Sequence, residues 1–231
     1  MDRPQAVIVG AGDGLSAALA REFAPDHALT LAARTGTHMR EVAEETGART
    51  ALLDAIDEDA VAGLFAGLPA APRVVVYNPS ARVRGPITEL SLEDVRHAVD
   101  VTALGAFVTG KHAARRMLEA APEGGRRGTI LFTGASAGVK GFARSAPFAM
   151  GKFAARGLAQ SMARELHPQG VHVVWINIDG AIRNPGRTEP PEAPDSMLDP
   201  AAIARTCRHL VEQDRSAWTE EIALRPWVER F

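Results

Sequence analysis

Short apolar runs alternate with longer amphipathic stretches along nearly the whole chain, and this rhythm limits the fold more than any other feature. Residues 6–9, 28–32, 51–53, 74–77, 129–132 and Val171–Ile178 read as strands. None has the in-and-out alternation of a half-exposed strand, so both faces of their sheet must be covered. Between them, Leu15–Phe23 and residues 39–46, 57–68, 92–120 and 146–167 read as helices. A helix over Pro200–Glu212 and a last strand near Glu221–Leu224 complete the series. Repeated strand–helix units joined by right-handed crossovers give a doubly wound parallel sheet with helices on both faces. With 231 residues and no internal repeat, residues 1–231 are expected to form a single domain. A chain of that length buries roughly 70–75% of its unfolded surface, so its core needs no covalent staple.

The first unit carries a glycine-rich turn: Val9-Gly10-Ala11-Gly12-Asp13-Gly14-Leu15-Ser16 joins a strand directly to a helix. Glycines let the backbone turn sharply and let a pyrophosphate approach the helix N-terminus, where free N–H groups and the helix dipole meet its charge. The spacing departs from G-x-G-x-x-G, because the residue three after Gly12 is Leu15. A tight turn without a ligand would look similar; its place after the first strand of a βα series points instead to a nucleotide-binding, Rossmann-type domain. The second strand runs into Leu31-Ala32-Ala33-Arg34, with no acid to hydrogen-bond an adenosine ribose and an arginine suited to a 2′-phosphate. NADP(H) is therefore expected over NAD(H), unless Arg34 merely begins a solvated loop. Asp13, a carboxylate in the phosphate turn, opposes that preference slightly.

Several ordered motifs resemble the short-chain dehydrogenase/reductase family, and the resemblance covers essentially the whole chain. Gly10-x-x-x-Gly14-x-Ser16 is similar to the family's G-x-x-x-G-x-G turn, with serine at the third glycine. Asp54, followed by Ala55, falls where the family has its adenine-contacting aspartate. Tyr77-Asn78-Pro79-Ser80 resembles N-N-A-G and keeps Asn78. Phe148-x-x-x-Lys152 resembles Y-x-x-x-K, and Asp179-Gly180-Ala181-Ile182 resembles P-G-x-[VI]. The resemblance implies cofactor contacts from Gly10, Gly12, Asp13, Gly14, Leu15, Arg34, Asp54, Ala55, Asn78, Lys152 and Ile182. It also implies a homodimer or homotetramer built on the helices over 92–120 and 146–167. Small residues such as Ala154, Ala155, Gly157 and Ala159 would allow close helix contact there, or packing on the sheet.

The same resemblance identifies an unusual catalytic site. The family's tyrosine, serine and asparagine fall on Phe148, Ala135 and Thr102, and only the lysine, Lys152, is kept. Phe148 and Lys152 are four apart and share one helix face. General acid catalysis is typically worth ~10²–10⁴-fold and an oxyanion donor ~10²–10³-fold, so the family's usual carbonyl reduction is expected to be slow. Ser136 beside Ala135 could supply a hydroxyl. Tyr77 (the one tyrosine), Asp179 and Lys152 itself are the substitutes for the missing acid. A further route dispenses with the acid: hydride transfer to an iminium carbon yields a neutral amine directly. The expected function is an NADP(H)-dependent oxidoreductase with a degenerate site acting on a small molecule; the alternative is a non-catalytic nucleotide-binding sensor or scaffold.

The segment 184–200, with five prolines in seventeen residues, cannot be a regular helix or a central strand. It reads as a lid over the sheet's carboxyl edge, or as a plain surface loop. Composition excludes other classes. A net charge of −2 with both signs scattered gives no reason to expect nucleic acid or an anionic membrane as partner. One cysteine, Cys207, allows no internal disulfide and reads as a bystander. His97, His112 and His167 are scattered on helices, so no metal site is expected. Met1-Asp2-Arg3-Pro4 leads straight into a strand without a signal-peptide layout, and no apolar run approaches the ~20 residues of a membrane span. A cytoplasmic protein is expected.

Overall fold

The computed structural model describes residues 3–229, so Met1 and Asp2 of the N-terminal stretch read from the sequence lie outside the described residues. Seven strands form one parallel sheet: β1 (Gln5–Val9), β2 (Ala28–Ala33), β3 (Arg49–Leu52), β4 (Pro72–Tyr77), β5 (Gly128–Thr133), β6 (Val171–Ile178) and β9 (Glu221–Leu224). Their order is β3-β2-β1-β4-β5-β6-β9, so the chain reverses direction across the sheet between β1 and β4. That switch point opens a crevice at the strands' carboxyl ends, where ligands bind in open α/β sheets.

The continuous apolar runs are explained by two cores. Ala6, Ile8, Leu31, Val76 and Val174 face one helical layer, while Val7, Val9, Val75, Ile130 and Trp175 face the other. The first layer holds α1 (Leu15–Phe23), α2 (Arg40–Thr46) and α7 (Pro200–Glu212); the second holds α3 (Glu58–Ala66), α5 (Gly105–Glu119) and α6 (Ala146–Leu166). Helix starts follow capping chemistry. The Asp57, Ser91 and Asp199 side chains accept from the N–H groups of Ala60, Asp94 and Ala201, and Pro200 occupies the first turn of α7. By contrast, α1 begins after Gly14 with no side-chain cap.

Two features go beyond the sequence reading. The stretch 92–120 is not one regular helix: α4 (Leu92–Val99) and α5 flank a π-helical turn over Asp100–Leu104. That turn engages its surroundings twice, with Val101 O accepting from the Tyr77 hydroxyl and Thr102 Oγ1 accepting from Ala81 N at 3.2 Å. Such bulges recur at functional sites. The proline-rich stretch also contains a short element: β8 (Met197–Leu198) pairs in parallel with β7 (Ala181–Ile182), apart from the main sheet. This pairing ties the end of the excursion back to the carboxyl edge. No helix of the described residues is long and apolar enough to cross a membrane.

Candidate functional site

A cleft of about 770 Å³ lies at the carboxyl edge, across the ends of β4, β5 and β6. Its inner wall is positioned by a hydrogen-bond chain that begins in the glycine turn. Ser16 Oγ donates to Gly10 O at 2.8 Å, and Asn78 Nδ2 donates to Ser16 Oγ at 2.9 Å. Thr133 Oγ1 donates to Asn78 Oδ1 at 3.0 Å, and Lys152 Nζ donates to Thr133 O at 2.7 Å. Strands β1, β4 and β5 and helices α1 and α6 are thereby linked through side chains. The serine at the position of the third glycine is part of that link, since its hydroxyl receives Asn78.

Gly10 has φ +83°, and a Cβ there would lie 2.7 Å from the Pro79 ring. Glycine is required at this point of the turn. Nothing lies within 4 Å of a Cβ placed on Gly12, so the backbone is open to a ligand there. With the uncapped start of α1, these features fit a pyrophosphate. Leu15, Asn78, Lys152 and Ile182 line the cleft. Gly10, Gly12, Asp13, Gly14, Arg34, Asp54 and Ala55 lie outside it, in the turns that follow β1, β2 and β3. Arg34 is exposed and its guanidinium pairs with no described residue, whereas Asp13 is tied to His38 Nδ1 at 3.1 Å. Asp54 turns back on its own loop, accepting from Ile56 N at 3.3 Å.

Lys152 is buried, and its pKa is pushed down to about 8, chiefly by loss of solvent and secondly by the nearby Arg82 charge. Phe148, one helical turn earlier, is also buried and lines the cleft; its ring centroid lies 5.8 Å from Lys152 Nζ. Ala135 and Ser136 both line the cleft. Thr102 lies behind this wall: a Cβ on Gly151 would come within 2.7 Å of it, and its hydroxyl is engaged by Ala81.

Two of the proton donors considered from the sequence fall elsewhere. Tyr77 is buried in the core on the α5 side and does not line the cleft; its hydroxyl donates to Val101 O, and burial pushes its pKa up. The residue ends β4 with its side chain on the face away from the crevice, a matter of strand parity. Asp179 also stays outside the cleft, 3.5 Å from Arg225 beside β9. Neither lines the cleft, whereas Lys152, the other titratable candidate from the sequence, does.

The structure adds residues that the motif reading passed over. Arg82, Arg84, Arg144 and Arg187 line the cleft with Lys152, and no aspartate or glutamate does. The Arg82 guanidinium lies over the Phe148 ring, 4.4 Å from its centroid. Such a wall repels an iminium cation, so the apolar Phe148 and Ala135 do not make this a pocket for one. The signal was present in the sequence: each loop after β4, β5 and β6 carries arginine, and ligands bind at those loops. Among the described residues, no group of three His, Cys, Asp or Glu side chains could hold a metal. Cys207 is buried with its pKa raised to about 12, by burial first and then by Glu22, which leaves it unreactive.

A doubly wound sheet with a glycine turn at its switch point and a lysine under the crevice defines a Rossmann-type α/β protein. The family is then specific: a short-chain dehydrogenase model matches residues 4–188, and the chain belongs to that family. The cyclic-di-GMP-binding biofilm dispersal mediator protein of Escherichia coli is 31% identical over 170 residues, 72% of this chain and 68% of that one. A short-chain dehydrogenase from Rhodopseudomonas palustris superposes with a TM-score of 0.80 at 32% identity, covering 97% of this chain and 99% of that one. An alcohol dehydrogenase from Thermococcus sibiricus, solved with 5-hydroxy-NADP, gives 0.83 at 25% identity, covering 99% of each chain.

Proposed function

We propose that this chain is an NADP(H)-dependent oxidoreductase for a small-molecule substrate, with a catalytic site reduced to Lys152. The observation that carries this reading is the buried Lys152, linked through Thr133, Asn78 and Ser16 to the glycine turn. The bound nicotinamide supplies or accepts the hydride. In this reading the N–H groups around Gly12, Gly14 and Leu15 hold the pyrophosphate, while Asp54 and Ala55 flank the adenine. Asn78, Lys152 and Ile182 hold the nicotinamide end. Free Arg34, with Asp13 drawn off to His38, favours a 2′-phosphate over a bare ribose. The relative solved with 5-hydroxy-NADP supports the same choice.

Phe148, Ala135 and Thr102 give the substrate oxygen no proton. Lys152, with a pKa of about 8, is largely protonated at neutral pH and donates to only one described acceptor, so it is the group that holds a transferable proton. Ser136 positions the substrate oxygen. Residues 1–231 act as one NAD(P)-binding domain, and the segment 184–200 closes over the cleft that Asn184 and Arg187 already line. Exposed Met150, Phe153, Ala154 and Gly157 form a stripe on α6, and Leu104 of the π turn and Phe107 of α5 are exposed as well, which favours a homodimer or homotetramer. A cytoplasmic location goes with this use of cofactor.

The test is NADPH oxidation by purified protein across a panel of small ketones, with Lys152→Ala alongside. Slow turnover that falls by about 10²–10⁴-fold in the variant is expected. NADPH binding without turnover on any ketone would leave a non-catalytic nucleotide-binding protein.

A further inference from the structure

We propose that the cleft takes a substrate bearing an oxyanion, a carboxylate or a phosphate, held by Arg82, Arg84 and Arg144 at the end away from the glycine turn. This inference rests on the cofactor reading above, which assigns the other end of the cleft to the nucleotide.

The first observation is convergence. Three separate loops, after β4, β5 and β6, send arginines into one cavity that contains no carboxylate. None of the Arg82, Arg84, Arg144 and Arg187 guanidiniums forms an ion pair within the described residues, and the ring face of Phe148 is the aromatic support for Arg82. Like charges brought together in a recess repel one another, and the repulsion is felt: Arg82 has its pKa lowered by burial first, then by Arg84 and Arg187. An anion in the cleft would remove that cost, whereas a neutral ketone would leave it in place.

The second observation divides the arginines between two ligands. A Cβ on Gly14 would lie 3.4 Å from Asn184 Cβ, so the start of the 184–187 segment sits against the glycine turn. Asn184 and Arg187 are joined by reciprocal backbone hydrogen bonds, so the Arg187 backbone is tied to the segment that meets the glycine turn, and Arg187 is left out of the substrate-end group. Arg82 lies instead over Phe148, and Gly85 N donates to Arg144 O at 3.1 Å, joining the 82–85 loop to the loop before α6. These three arginines therefore belong to the substrate end.

The third observation is conformational. Arg144 has φ 60°, a left-handed backbone that costs energy in any residue with a side chain. An arginine is kept there although glycine or asparagine would fit more easily. A planar guanidinium fork pairs with carboxylate and phosphate oxygens alike, so the arginines fix the charge class of the ligand and leave its identity to the rest of the wall.

Two matched pairs test this in a calorimeter, with the protein saturated with NADPH so that the cofactor's own phosphate contacts are filled. One pair is 2-oxo-4-phenylbutanoate and its ethyl ester; the other is dihydroxyacetone phosphate and dihydroxyacetone. The anionic member of at least one pair should bind at least tenfold tighter than its neutral partner, and which pair responds separates carboxylate from phosphate. Arg82→Met or Arg84→Met should reduce that preference about tenfold, and raising the salt should shrink it. Equal binding within both pairs overturns the inference, as does a preference that survives both substitutions. The NADPH titration that precedes each run reports on the cofactor reading and on folding of the variants. Failure of NADPH to bind refutes that reading and this inference with it, whereas NADPH binding with no anion preference refutes this inference alone.

Discussion

Arginines are used in opposite ways on the two sides of this molecule. On the outer layer, where α7 crosses α1, Arg208 donates to Glu22 at 2.8 Å, to Asp26 at 2.9 Å and to Glu212 at 3.3 Å, with a further bond to Glu22 O. Beside β9, Arg156 forks onto Glu221 through two bonds of 2.8 Å, and Arg164 meets Glu220 at 2.8 Å. In the cleft, Arg82, Arg84, Arg144 and Arg187 face one another without a carboxylate. Paired arginines hold helices to helices and to the sheet edge. Unpaired ones that converge on a recess hold nothing together, and their cost makes sense only with a ligand in place.

The largest expected effect is on the cleft's chemistry. Phe148→Tyr sets a phenol within reach of the Lys152 and Arg82 charges, both of which favour its ionised form. Turnover of a carbonyl substrate should rise about 10²-fold in a steady-state assay; no gain would mean that the ring's outer edge does not reach the reacting oxygen.

A smaller effect sets the two arginine classes directly against each other. Arg208→Ala should cost about 2 kcal/mol in urea unfolding, because it leaves three carboxylates facing one another. Arg82→Ala should change stability by less than about 0.5 kcal/mol, since the lost stacking on Phe148 is offset by relief of repulsion from Arg84 and Arg187. Equal losses at the two positions would break the comparison.

The smallest effect is on pH dependence. Burial depresses the Lys152 pKa to about 8 from the 10.5 of a free lysine. Below pH 8 the amine is charged in both states, and the cost of burying it is fully present. Between pH 8 and 10.5 the unfolded chain binds more protons, so native stability rises with pH. Thermal melts of the wild type minus those of Lys152→Met should show that rise. The subtraction cancels the opposite trend above pH 10 from buried Tyr77. His172 acts on the acid side: burial holds its pKa at about 4, so stability should fall as pH drops from 6.5 toward 4.

Much of this was legible in the residues. Strands without in-and-out alternation, such as the largely apolar Val171–Ile178, announced a sheet covered on both faces, and Gly10 announced the turn at its switch point. Lys152 and Phe148 were placed together by a spacing of one helical turn. What escaped was direction and assembly. Tyr77 lies beside Asn78 in sequence, yet strand parity sends one into the core and the other into the crevice network. The π turn at Asp100–Leu104 leaves no periodic signature, and the arginine cluster draws on residues 82 to 187, which only the crossovers bring together. A segment dense in proline still yielded a strand pair at Ala181–Ile182 and Met197–Leu198, too short to read from composition.

The central claim, that the glycine turn, free Arg34 and buried Lys152 form an NADP(H) site, is tested most directly by titrating the protein with NADPH and NADH by cofactor fluorescence. NADPH should bind at least tenfold tighter than NADH, and Arg34→Ala should remove most of that gap, about 1.4 kcal/mol for each tenfold. Equal binding of the two, or binding of neither, would contradict the account.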